Sequence, residues 1–81
     1  MADQTTDQSV LNRIQELVAQ EHRFHGQSEM SEEDRTKLHQ VEVELDQCWD
    51  LLRQRRALRT VGQDPDKAQV RPAEIVEKYE Q

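Results

Sequence analysis

The chain has very few of the residues that turn or cross-link a polypeptide: two glycines, two prolines and one cysteine among 81 residues. A β-meander or sandwich needs turn-formers every few positions, so an all-β fold is excluded. A single cysteine, Cys48, makes no internal disulfide, and a reducing cytoplasm is its expected home. No apolar run approaches the roughly 20 residues of a membrane span. The opening MADQTTDQSV has neither the basic start nor the apolar centre of a signal peptide. Basic charge is also scarce: the net charge of −6 argues against wholesale binding to nucleic acid or to an anionic membrane.

What the chain does have is charge of both signs. Charged residues make up 35% and hydrophobic residues 33%, against about 25% and about 45–50% in an average globular protein. Long two-faced helices fit that balance, because they leave many positions on a solvated side. At this length a chain buries only roughly 60–65% of its unfolded surface, so a lone molecule has little stability in reserve.

Apolar spacing locates the helices. Val10, Leu11, Ile14, Leu17 and Val18 form one stripe, preceded by the N-cap candidates Thr5, Thr6 and Asp7 and stopped near Gly26. They predict a first helix over about 7–25. Leu38, Val41, Leu45, Cys48, Trp49 and Leu52 recur at alternating spacings of three and four after Ser31-Glu32-Glu33-Asp34, which resembles a capping box. They predict a second helix over about 32–61, closed at Val61-Gly62. The loop between them is short, so the helices should lie antiparallel. Asp64-Pro65-Asp66 reads as a turn, and Val70, Ala73, Val76 and Tyr79, with Ile75 beside them, suggest a short third helix over 72–80. The expected organisation is a polar leader over 1–6, a helical hairpin over 7–62, and a linker with a short C-terminal helix over 63–81.

The two long helices are unequal. At 1.5 Å per residue the first spans about 28 Å and the second about 45 Å. From about Trp49 onward the second helix therefore needs another cover. The tail supplies one; a second copy of the chain would supply another.

Several residues invite chemistry. His22 and His25 share a helical face and His39 stands apart, but zinc wants about four ligands at set spacings, so no metal is expected. Cys48 lies within the apolar stripe, where a cysteine serves as a small core residue rather than a nucleophile. Arg53, Arg55, Arg56 and Arg59 form a cluster that suits the negative end of a helix, and Asp50 can pair with Arg53. The arginines point in several directions and no aromatic residue interleaves with them, which weakens a nucleic-acid reading. The second helix is acidic before Trp49 (Glu42, Glu44, Asp46) and basic after it. Two copies crossing antiparallel at Trp49 would bring Glu42 of one level with Arg56 of the other, as a two-fold interface requires. Glu42, Leu45, Asp46, Cys48, Trp49, Leu52, Arg53 and Arg56 are the candidate interaction residues. No phosphate-binding loop or nucleophile–base pair is visible, so neither enzymatic activity nor a cofactor is expected.

The block VEVELDQCWDLLRQRRA, residues 41–57, resembles the signature of a family of short actinobacterial proteins classed as a domain of unknown function. The stretch carrying Ile14, Leu17, Val18, Glu21 and His22 is similar as well, as are Arg71-Pro72, Val76-Glu77 and Tyr79 near the end. The resemblance implies a bacterial cytoplasmic origin and the same hairpin, and brings no activity, ligand or catalytic residue. The sequence thus leads to an all-α, antiparallel hairpin that self-associates, as a homodimer with a four-helix core, or docks a protein partner. The alternative is a regulator that contacts nucleic acid or the transcription machinery through the arginine cluster.

Overall fold

The structure, a computed structural model, describes residues 6–76. The leader up to residue 5, the last residues of the expected third helix and Tyr79 lie outside the described residues. The element order is α1 (Asp7–His25), α2 (Glu32–Thr60), a 3₁₀ turn (Pro65–Lys67) and a short α3 (Ala73–Val76). Among the described residues there is no strand.

Both long helices start on side-chain caps. The Thr6 hydroxyl accepts from the Ser9 amide while the Ser9 hydroxyl accepts from the Thr6 amide, a reciprocal box that satisfies two of the otherwise unpaired first-turn donors. Ser31 caps α2 by accepting from the Asp34 amide. The C-terminus of α2 turns back at Gly62, whose φ of 78° is the left-handed conformation that glycine adopts at least cost. There the Gln63 amide donates to the Leu58 carbonyl and the Gly62 amide to the Arg59 carbonyl, which closes the last turn. Gly26 ends α1 differently, in the right-handed helical region.

Val10, Ile14 and Leu17 of α1 pack against Val41, Leu45, Leu51 and Leu52 of α2, with Leu11, Val18, Phe24, Cys48 and Ala68 at the margins. Full burial of one such side chain contributes about 1.5–3 kcal/mol, so this row is the main apolar source of stability. Trp49 is not part of it. The expected stripe included Trp49, yet its side chain emerges from the hairpin and is 41% exposed.

The start of α1 reaches the far half of α2 at Leu52, Arg55 and Arg59, while another face of that half is covered by the chain's own tail, and the fastening there is largely polar. Gln47, Asp50 and Gln54 follow one another at spacings of three and four and share a face. Gln47 donates to the Arg71 carbonyl at 3.1 Å, and Gln54 donates to the Gln69 carbonyl and to Asp50, each at 2.8 Å. Arg71 reaches back with two bonds to Asp50, at 2.9 and 2.7 Å. One turn on, Arg55 is buried and donates to Asp7 at 2.7 Å, to Asp66 at 2.9 Å and to the Pro65 carbonyl at 3.3 Å. Arg59 shares the same Asp7 oxygen at 3.0 Å. Val76 of α3 is fully enclosed at the end of this strap. Asp50 is hydrogen-bonded by Arg71 and Gln54, and the charge of Arg53, its expected partner, adds to their effect. No described buried side-chain nitrogen or oxygen is left without a partner, as a dry polar network requires.

The charges respond accordingly. Hydrogen bonds from Arg59 and Arg55 hold the Asp7 carboxyl at about 2, below its ordinary 3.8, against the opposing effect of burial. Burial pushes the Asp50 carboxyl up, but the bonds from Arg71 and Gln54 and the charges of Arg71 and Arg53 outweigh it and leave the group below its usual range.

Two outcomes follow from this strap. Because the folded Asp7 value is depressed, its stabilisation is complete above 3.8 and is lost as the pH falls through about 2. The melting-temperature gap between the intact chain and Asp7→Asn should be open at neutral pH and close across that acid window; a gap that does not vary with pH would count against the pairing. Arg71→Ala leaves Asp50 buried without its cation. Breaking a buried pair costs about 3–5 kcal/mol, and the partial exposure of Arg71 brings the expectation down to about 2 kcal/mol in urea unfolding. The same variant should be cut faster by protease between residues 62 and 72.

Candidate interaction surface

Glu42, Asp46, Trp49, Arg53 and Arg56 recur along α2 at spacings of four, three, four and three, so they share one face of the helix. At its Glu42 end that face borders α1. Arg53 and Arg56 are exposed, and Glu42 and Asp46 are half-buried beside the indole. Glu21 from α1 joins Glu42, Leu45, Asp46 and Trp49 around a surface hollow of about 290 Å³. Three carboxylates and an apolar wall thus face the same space, which suits a cationic group carried on a partly apolar stem.

The other expected interaction residues are placed differently. Leu45 and Leu52, expected at the centre of a seam between copies, are buried inside the chain's own core because α1 crosses directly over them. Cys48 is half-buried against that core and borders a second recess with Gln40, Glu44, Gln47, Leu51 and Val70. Burial raises the Cys48 thiol, the Glu44 charge adds to the effect, and Arg13 opposes it. A thiol raised in this way is the reverse of an activated nucleophile. Glu44, counted with the acidic half of α2, lies on the α1 side, where Arg13 grips it through two bonds of 2.7 and 3.0 Å. Of the four clustered arginines, Arg55 and Arg59 are turned inward to Asp7.

The histidines do not assemble with one another. His22 is exposed at the surface of α1. His25 instead meets two carboxylates: ligand atoms of Glu21, His25 and Glu42 all lie within 4.8 Å of one another. The sequence reading paired His22 with His25 at a spacing of three and passed over Glu21 and His25 at four. Only the facing helix could reveal Glu42 as the third member. Arg71 and Asp66 were likewise missed as partners of α2, because ion pairs between distant segments carry no local pattern.

The sequence matches the family described as "Protein of unknown function (DUF2630)" over residues 6–81. It is 53% identical over 79 residues to an uncharacterized protein of Mycobacterium tuberculosis (strain ATCC 25618 / H37Rv), covering 91% of this chain and 90% of that one. An uncharacterized protein of Mycobacterium bovis (strain ATCC BAA-935 / AF2122/97) shows the same identity and coverage, 53%, 91% and 90%. No solved structure matches. None of the described helices is long and apolar enough to cross a membrane.

The Cys48 environment has a direct chemical readout. Iodoacetamide should alkylate Cys48 in the folded chain more slowly than a free thiol at the same pH, and urea should restore the full rate. Equal or faster modification of the folded chain would mean an activated thiol.

Proposed function

We propose, from the premise that this chain belongs to the DUF2630 family of proteins of unknown function, that it is a non-enzymatic module that pairs with a second copy of itself through α2. The supporting observation is the self-complementary strip. Trp49 stands at its middle, 41% exposed, with Glu42 and Asp46 toward one end and Arg53 and Arg56 toward the other.

A two-fold axis through Trp49 sets each residue opposite the one equally far on the other side. Glu42 then faces the partner copy's cation seven residues beyond its tryptophan, and Asp46 falls level with the turn that carries Arg53. Each chain contributes the same patch, the condition for a closed, isologous dimer. The two indoles meet at the centre, where buried tryptophan and arginine concentrate binding energy. The carboxylate-lined hollow beside Trp49 offers the incoming guanidinium a place to dock. Charge matching fixes the antiparallel direction, and burial of the indole supplies most of the attraction. Four long helices, two from each copy, then form the assembly. This seam is narrower than the sequence alone suggested, because Leu45 and Leu52 are taken up by the hairpin core. A role as a nucleic-acid regulator draws no support from the arginines, since Asp7 engages Arg55 and Arg59.

Sedimentation equilibrium of the full chain from low to high micromolar concentration tests the proposal. A concentration-dependent dimer is expected. Trp49→Ala should weaken it at least about thirtyfold, corresponding to the roughly 2 kcal/mol of an interface hot spot. Arg56→Glu should also dissociate the dimer, and the swapped double variant Glu42→Arg/Arg56→Glu should restore it. A chain that stays monomeric at high micromolar concentration, or a Trp49→Ala variant that pairs undiminished, would overturn the reading.

A further inference from the structure

Near the loop end of the hairpin, two helices bring together three side chains that share an ability unused by the fold or by the proposed pairing. Glu21 and His25 are four residues apart and therefore project from one face of α1. Glu42 reaches the same place from α2, and one ligand atom from each lies within 4.8 Å of the other two. Two ligand atoms on a single tetrahedral ion, each about 2.0–2.2 Å from it, stand roughly 3.4 Å apart. The observed separations need only small rotations of surface side chains to reach that distance. Glu21 and Glu42 also border the hollow completed by Leu45, Asp46 and Trp49. One side of the trio is therefore a concave, partly apolar wall rather than open solvent.

We propose that Glu21, His25 and Glu42 form a binding site for a divalent transition-metal ion, with zinc as the probe. The donor set selects the class. An imidazole nitrogen favours a borderline ion over calcium or magnesium, which prefer all-oxygen cages. The absence of a thiolate from the trio sets it apart from the closed sulfur-rich sites of structural zinc. Three protein ligands leave at least one position on the ion for water or for a donor from another molecule. A bound ion clips the end of α1 to α2 and removes the mutual repulsion of Glu21 and Glu42. Affinity falls with decreasing pH, because imidazole must shed its proton to ligate.

The site does not require self-pairing, although Glu42 belongs to both surfaces and an ion there competes with the seam for it. Its test is isothermal calorimetry of the full chain with zinc chloride, repeated on Arg56→Glu, in which the pairing strip is broken and the trio is intact. One saturable ion per chain is expected in both proteins. His25→Ala and Glu42→Gln should each weaken binding at least about tenfold, since loss of a mere supporting partner of a ligand already costs that much. His22→Ala, which alters the adjacent histidine outside the trio, should bind as the intact chain does. Nickel should quench Trp49 emission in the intact chain and not in His25→Ala, because the indole borders the same hollow. Absence of saturable zinc binding, or binding that survives both His25→Ala and Glu42→Gln, would overturn the site. Loss of binding in His22→Ala equal to that in His25→Ala would do the same. Failure of the self-pairing reading shows separately, as a monomer by sedimentation.

Discussion

Asp50, in the second half of α2, carries a charge that is only 1% exposed. A buried carboxylate is strongly unfavourable unless it is paired and hydrogen-bonded, so its position demands a partner from elsewhere in the chain. Arg71 is that partner. Its arrival fixes the path of the residues before it, with Gln54 and Gln47 holding the backbone at Gln69 and Arg71. Arg55 repeats the device one turn later and couples three segments at once: the start of α1 through Asp7, the body of α2, and the 3₁₀ turn through Asp66. An acidic chain with only 33% hydrophobic residues thereby closes a small fold with ions where a richer sequence would use apolar bulk. Such pairs contribute less net stability than their geometry suggests, because desolvation offsets the attraction. They do specify which residues meet.

The hairpin was legible because it rests on short-range rules. Stripes at spacings of three and four, caps at Thr6 and Ser31 and the stop at Gly62 all act within a turn or two, and the helix bounds followed from them. The inequality of the two helices was legible for the same reason, being a matter of counting residues. What covers the remaining face of the longer helix was not. Asp50 and Arg71 are 21 residues apart, and Asp7 and Arg55 are 48 apart, so no local spacing announces either pair. The sequence treated Arg55 as one of four equivalent cations, yet it is buried while its neighbours Arg53 and Arg56 are exposed. Trp49 erred the other way. Its spacing placed it in the apolar stripe, but the helix presents its apolar row to α1 and polar residues to the tail, and Trp49 is left 41% exposed.

With α1 on one face of α2 and the tail on another, the strip from Glu42 to Arg56 is the long surface that no described segment covers continuously. The proposed seam and the proposed metal site both lie along it and share Glu42. A cation held by Glu21, His25 and Glu42 would withdraw that carboxylate from the seam, so the two proposals compete for one side chain.

The central claim is that the tail, through Asp50, Arg55 and Arg71, keeps the far half of α2 dry in a single molecule. Amide hydrogen exchange along α2, measured on dilute monomer, tests it most directly. The account expects the amides of residues 50–57 to be protected as strongly as those of residues 41–49, since both halves are covered from within the chain. Exchange in the far half as fast as in a frayed helix end would show that the tail does not hold and would contradict the account.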